Sequence, residues 1–394
     1  METAQDPESG QREWWWLSAI LLLALVLRLH GLTFQSHWND ELQSAVLGDP
    51  EIPLNLVVRR TLLDVHPPLY QVVLRAWYRT FGYTEFVGRA LSVLFGVCGV
   101  GALYFLGREV AGRRVGLSAA LLGALNVFLI AYSQETRSYA LLFLLSSLSW
   151  LFFIRLLKDP LWKRTPGYLL STMALLYTHY FGLFVVMAQG IAFLGHLRVV
   201  PQQRGRALRV VGTSGVIAAL SLTPLLPFLV NHSAKDSFWI PKTEAWFVVD
   251  YLRVFLAGVP ERGQVSAPVS YQSVLLIILG LLVVYALLRP RLEGEPRLGW
   301  GVGLLLAWIV LALSFPYLRG LVSLPVLTPR NAIIVLPALL ILAAIGLDGP
   351  LPGWIRKSGL GLIALLSLYF LFVASRKAIR PSWPMAGREK VWAR

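Results

Sequence analysis

The chain is poor in cysteine, in charge and in acid. Cys98 is the one cysteine among 394 residues, so no intramolecular disulfide forms and no cysteine-rich metal site can be built. It lies in an apolar stretch, where a lone thiol serves as a small packing residue. Charged residues make up only 14% of the chain, against about 25% in an average soluble domain. Asp and Glu number 21 against 36 Lys and Arg, a formal net charge of +15. The short alternating segments of a membrane β-barrel are missing, and so is the internal duplication that many transporters show. The first apolar run, residues 14–29, lacks a basic leader and a small-residue cleavage site. It therefore reads as a retained first helix, not a signal peptide.

What the chain has is apolar length. Hydrophobic residues make up 56% of it, in recurring Leu/Val/Ala/Phe runs. A helix needs about 20 apolar residues to cross the hydrocarbon core. The pattern predicts an all-α polytopic membrane protein of about eleven spans. They fall at 14–32, 86–106, 115–132, 138–157, two short spans within 168–197, then 210–230, 272–288, 299–317, 331–347 and 359–373. The turns holding Arg108, Arg113 and Arg114, then Arg155, Lys158, Lys163 and Arg164, then Arg198, Arg204, Arg206 and Arg209, then 289–297, are basic and read as cytoplasmic. This pattern and an anionic lipid ligand account for the charge excess better than nucleic acid does. The expected division is a cytoplasmic tail 1–13, a membrane domain 14–376 and a basic C-terminal tail 377–394 in the cell inner (plasma) membrane. The first outer loop is 33–85 and a second long one is 231–271. Alternation sends the basic tail outside, against the charge rule. Either a span is miscounted, or 349–360 is re-entrant, or the tail faces outward.

The first outer loop is the most informative stretch. Residues 37–70 read HWNDELQSAVLGDPEIPLNLVVRRTLLDVHPPLY, too polar to lie in lipid. Asp40 and Glu41 are adjacent, so on a helix they point about 100° apart. One can face a site while the other pairs or holds a metal. A third carboxylate, Asp64, precedes His66. The two prolines after His66 fix φ and keep a helix from starting before them. That aims His66 and launches a helix over 68–81, whose Arg75 and Arg79 place it in the membrane interface. Other ionisable groups stand at outer helix ends: Glu135 and Arg137 in SQETR, His179 in THYFG, and Arg330 in TPRN. At membrane level such groups default to function. Arg137 and Arg330 suit a phosphate. The plainer readings are a solvated acidic pair, a turn-capping His66, a Glu135–Arg137 ion pair and a helix-end anchor at Arg330. Arg28 and His30, at the end of the first helix, read as interface anchors or phosphate contacts.

Taken in order, these motifs resemble the polyprenyl-phosphate-sugar glycosyltransferases of the GT-C superfamily, and within it glycosyltransferase family 39, the protein mannosyltransferase and lipid A aminoarabinose transferase group. The likeness rests on DEL at Asp40, on HPPLYQVVLRAW–FG–EFVGRALSVLFGV, on AYSQETRSYALLFLL, on LLYTHYFGLFVVMAQ, and on the late TPRNAIIVLPALLIL. It covers residues 14–200 well and 325–347 loosely. The acidic motif departs from the family pattern in being followed by Leu42–Gln43, and the chain lacks the large soluble C-terminal domain of some members.

The resemblance implies a GT-C-type helical core with interfacial helices in the first outer loop. It implies transfer of a sugar from a polyprenyl-phosphate-linked donor lipid to a glycan, lipid or protein acceptor at the extracytoplasmic face. Asp40 would be the catalytic carboxylate with Glu41 beside it. Arg137 and Arg330 would meet the donor phosphate, and His66, Glu135 and His179 would line the substrate site. Such a donor already carries a good leaving group. One base for the acceptor proton and cationic stabilisation of the departing phosphate suffice for inverting displacement. A divalent metal (Mg or Mn) through Asp40, Glu41 or His66 is left open. The alternative is a transporter or flippase of an anionic lipid, which would put its charges at mid-membrane instead of at one face.

Overall fold

The structure, a computed structural model, describes residues 7–64, 66–233, 240, 242–257, 269–349 and 352–369. The basic tail 377–394, residues 1–6 of the first tail and the middle of the second long loop (234–239 and 258–268) lie outside them, as do 350 and 351 in the stretch for which a re-entrant path is one of three alternatives.

Every described element is a helix or a turn. Helix α1 (Pro7–Leu29) leads into three short helices of the first loop: α2 (Asn39–Leu47), α3 (Leu54–Leu63) and α4 (Leu69–Phe81). Next come α5 (Glu85–Ala111), α6 (Arg113–Leu125), α7 (Val127–Ser133), α8 (Tyr139–Lys158), α9 (Thr165–Thr178) and α10 (Gly182–Val199). The apolar stretch Pro201–Val230 is helical but interrupted. It holds α11 (Arg204–Ala207), a π-helical turn, α12 (Thr213–Leu220), a 3-10 turn at Pro224 and the start of α13 (Leu226–Ser233). The chain continues through α14 (Phe247–Ala257), α15 (Val269–Glu293), α16 (Pro296–Val322), a 3-10 turn Asn331–Val335 that runs into α17 (Leu336–Leu347), and α18 (Gly353–Tyr369).

The chain is a multi-pass membrane protein. Six described helices are long and apolar enough to cross a membrane, and α6 with α7, bent by 62° at their junction, adds a seventh. A helix stands at each of the eleven expected positions, but length alone does not make each a span. Helices α9 and α17 are short, α18 ends at the last described residue, and α1 carries Arg12, Glu13 and Arg28.

Helix α5 is the central post, packed along both α6 and α8. A Cβ on Gly107 would come within 3.1 Å of the Gly116 backbone, so α5 and α6 approach through glycine, as close membrane helices do. Between α8 and α16, Trp150 and Trp308 stack at 4.7 Å. Buried hydroxyls and amides bond across helices: Tyr168 donates to Gln189, Gln189 donates to Ser149, and Ser149 shares a hydrogen bond with Thr172.

Arg28 is no interface anchor. It is fully buried, and its guanidinium donates to the carbonyls of Gly123 and Ala124 at 3.1 and 3.2 Å and to Ser133 Oγ at 3.2 Å. The first two belong to the last turn of α6, whose carbonyls the bend leaves without helical partners. Asn126 caps the other side by accepting from the Leu129 amide at 2.9 Å.

All the sequence elements of interest gather at one end of the bundle: the loop after α1, the starts of α5 and α8, the end of α9 and the turn before α17. Ion pairs close the other end. Glu13 meets Arg108 and Arg113, Glu109 meets Arg155 and Lys158, and Asp159 meets Arg164.

Candidate active site

The site is assembled on Arg89, one turn into α5. Its Nη1 donates to the carbonyls of Leu32 at 2.8 Å and Gln35 at 2.6 Å. Its Nε and Nη2 donate to the two oxygens of Glu41 at 2.9 and 2.8 Å. Glu41 is 1% exposed. It also accepts from the backbone amides of Thr136 at 2.8 Å and Trp38 at 3.3 Å. The Trp38 bond caps the start of α2, so the acidic motif begins a helix because its second carboxylate turns inward. Burial alone would raise the Glu41 carboxyl, but the Arg89 hydrogen bonds and charge, with the Thr136 amide, hold it below the usual range.

Asp40 points the other way, as adjacent helical positions require. Its side chain is 29% exposed, and Oδ2 lies 3.0 Å from Arg330 Nη1. Arg330 comes from the loop that opens the turn before α17. Arg137 lies beneath the motif, nearly buried. Its Nη1 donates to the Asp40 carbonyl at 3.0 Å and to Ser44 Oγ at 3.1 Å, and its guanidinium lies over the Tyr139 ring. Glu135 belongs to the same turn, where its carbonyl accepts from the Arg137 amide at 2.7 Å.

His66 sits 3.5 Å from Asp64 through Nδ1, so the carboxylate orients the imidazole. Its ring meets His179 edge-on at 5.2 Å. His179 Nδ1 accepts from the Phe181 amide at 3.2 Å, which places the proton of the neutral ring on Nε2. Burial first keeps both histidines below their ordinary value, His179 well below. The neighbouring His66 and then Arg137 and Arg330 add to this at His179. At His66 the Asp64 hydrogen bond opposes it, and Arg137 and Arg330 add to it. A narrow cleft opens here, with room for little more than a water molecule, lined by Ser44, His66, Tyr70, Gln71, Arg137 and Thr178 among others.

Helix α4 supplies one wall. Tyr70, Leu74 and Tyr78, spaced four apart, form its buried stripe, and Arg79 stays outside. Tyr70 reaches Ser92 of α5 at 3.4 Å. Gly88 lets α5 lie close: a Cβ there would run into the Tyr78 hydroxyl and Thr136.

The residues singled out by sequence therefore meet. Asp40 pairs with Arg330, Arg137 bonds the Asp40 turn, His66 touches His179, and Glu41 turns inward to Arg89. Sequence reasoning gave no role to Arg89, Ser44, Thr136 or Gln71. Arg89 carried a signal, being an arginine inside an apolar span; the others are known only through tertiary contact. A divalent metal on Asp40, Glu41 and His66 does not fit. Both Glu41 oxygens are taken by Arg89 and amides, Asp40 is paired with Arg330, and no three His, Cys, Asp or Glu side chains converge among the described residues.

A family model described as dolichyl-phosphate-mannose-protein mannosyltransferase matches residues 65–230. No curated protein matches the chain. Among solved structures, ArnT from Cupriavidus metallidurans in the apo state is similar with a TM-score of 0.59 at 16% identity, over 87% of this chain and 61% of that one. ArnT of the same organism bound to undecaprenyl phosphate gives 0.56 at 18%, over 90% and 64%. The archaeal oligosaccharyltransferase AglB from Archaeoglobus fulgidus, in complex with an inhibitory peptide and a dolichol-phosphate, gives 0.54 at 13%, over 92% and 56%. The chain thus spans less than two thirds of the length of these proteins. The likenesses show its fold, that of the GT-C membrane glycosyltransferases.

Proposed function

We propose that this chain is a membrane glycosyltransferase. It moves a hexosyl or pentosyl group from a polyprenyl-phosphate-linked donor to an acceptor hydroxyl at the extracytoplasmic face. The observation that carries this reading is the Asp40–Arg330 pair, a partly exposed carboxylate beside a cation, at the loop-bearing end of a GT-C fold. The basic turns at the opposite end support the orientation, because cytoplasmic loops carry the excess of Lys and Arg.

Asp40 takes the proton of the acceptor hydroxyl as its oxygen attacks the anomeric carbon. The bond from that carbon to the phosphate oxygen breaks with its electron pair on the phosphate. The products are a glycoside of inverted configuration, polyprenyl phosphate and a protonated Asp40. The donor phosphate changes from a singly to a doubly charged group. Arg330 is placed to stabilise that gain, with the buried charge of Arg137 behind it. Binding of the phosphate to Arg330 also takes the cation away from Asp40 and leaves the carboxylate ready to accept a proton. Glu41 is assigned to holding the motif through Arg89, not to the reaction. His66, His179 and Glu135 are assigned to the substrate surroundings. No step here runs through a metal.

The test is titration of nanodisc-embedded protein with undecaprenyl phosphate, wild type beside Arg330→Ala and Arg137→Ala. Saturable binding weakened by either substitution supports the reading. No binding to the wild type contradicts it and favours a transport role.

A further inference from the structure

Arg28 stands in the last turn of α1 and is fully buried. Among the described residues, every partner of its guanidinium is neutral. Nη1 donates to the carbonyls of Ala24 and Ala124, both at 3.2 Å, Nη2 to the Gly123 carbonyl at 3.1 Å, and Nε to Ser133 Oγ at 3.2 Å. A charge inside a membrane bundle is costly and defaults to a functional reading. An apolar side chain of similar volume would fill the same place between helices without that cost. What offsets it is the end of α6. Gly123 and Ala124 lie in its last turn, where unpaired carbonyls carry the negative end of the helix dipole and favour a cation.

The same residue reaches toward the site. Helix α7 is a link of seven residues, and Ser133 is its last. Gln134 answers in the other direction: its Nε2 donates to the Arg28 and His30 carbonyls at 2.9 and 2.8 Å. Side chain and backbone of Arg28 thus clasp both ends of α7. The turn that follows carries the Thr136 amide that bonds Glu41 and the Arg137 guanidinium that bonds the Asp40 carbonyl. The loop that brings Asp40 and Glu41 leaves from the same end of α1. Helix α5 makes the room: a Cβ on Gly96 would run into the Ser133 side chain and come within 3.0 Å of Arg28 Nε. Capping α6 alone would need none of the bonds to Ser133 and Gln134.

We infer that Arg28 is a positioning residue of the site. Through Ser133 and Gln134 it holds the 134–137 turn in register with the acidic motif, so that Arg137 and the Thr136 amide meet that motif. It touches neither donor nor reacting atoms. Its consequence for turnover rests on the glycosyltransferase reading above; its hold on the turn rests on geometry alone.

The experiment uses full-length protein in nanodiscs, wild type beside Arg28→Met, Arg28→Lys and Ser133→Ala. Ser133→Ala keeps the cation at the end of α6 and removes its side-chain tie to α7. Hydrogen exchange at the amides of residues 134–138 reads local opening of the turn. It speeds up about tenfold in Arg28→Met and Ser133→Ala, while the amides of α8 keep their wild-type protection. Arg28→Lys, which keeps the charge without the planar fork, falls between. Turnover per folded molecule is followed as release of undecaprenyl phosphate from its mannose or glucose conjugate. It drops about tenfold or more in the same two variants, because a displaced turn misplaces the reacting groups, and Arg28→Lys restores part of it. The inference is overturned if the turn exchanges as in the wild type in both variants. It is equally overturned if exchange rises as much along α8, or if the turn opens and turnover is unchanged. If Arg28→Met does not fold, Ser133→Ala decides. No release by the wild type would count against the glycosyltransferase reading, and the exchange arm would then decide on Arg28 by itself.

Discussion

Arg330 Nη1 lies 3.0 Å from Asp40 Oδ2 across 290 residues of sequence. The pair joins the first loop to the turn before α17, and its two members are only partly buried. A charge-assisted hydrogen bond of this kind is strong but exchangeable. A donor phosphate competes with Asp40 for Arg330. Asp40→Asn removes that competitor, so the variant binds undecaprenyl phosphate at least as tightly as the wild type. Arg330→Ala weakens binding about tenfold or more, and Arg330→Lys, which keeps the charge but not the planar fork, falls between. Isothermal titration in nanodiscs measures all three; weaker binding by Asp40→Asn would argue against the competition.

The Glu41–Arg89 pair predicts a different signature. Both side chains are almost completely buried, and Arg89 also holds Leu32 and Gln35. Removing one partner of such a pair leaves an uncompensated buried charge and costs about 3–5 kcal/mol. Glu41→Gln and Arg89→Met each lower the thermal midpoint in detergent. The double variant loses less than the sum of the single losses, because the two residues share one interaction. Strictly additive losses would show that the pair does not hold the loop as described.

The two histidines contribute to the pH dependence. His66 and His179 have folded-state values below the ordinary 6.5, so just below pH 6.5 the unfolded chain binds more protons than the folded one. Stability then rises with pH through that window and is lost as pH falls through it. Protonating His179 also removes the acceptor of the Phe181 amide. A thermal midpoint measured from about pH 7.5 down to about pH 5.5 should fall, and the fall should be shallower in His66→Gln and His179→Gln. An unchanged slope in both variants would place the titration elsewhere.

Much of this architecture is legible from apolar length and from turn chemistry. The runs of Leu, Val and Phe mark where helices stand, and the prolines after His66 mark the start of α4. Adjacency alone says that Asp40 and Glu41 face different ways. It does not say which turns inward, because that depends on Arg89, 48 residues away. Arg28 shows the same limit. Its position at a helix end suggests an anchor, but the bend between α6 and α7 creates carbonyls that need it, and a local pattern carries no record of that bend. Gln71 gives no signal in sequence at all. On an amphipathic helix it reads as one more polar position, yet the fold buries it beside Tyr70 and Leu74.

The measurement that bears most directly on the central claim is turnover by Asp40→Asn. Wild type and variant, matched for thermal midpoint, are given undecaprenyl phosphate carrying mannose or glucose together with membrane lipid and glycan extract. Release of undecaprenyl phosphate and the anomeric configuration of the product are followed. With Asp40 as the base, the wild type releases the lipid phosphate and inverts the anomeric centre. The variant binds donor but loses turnover by about 100-fold or more, the scale of a lost general base. Turnover surviving in Asp40→Asn, or retention of configuration, would contradict it.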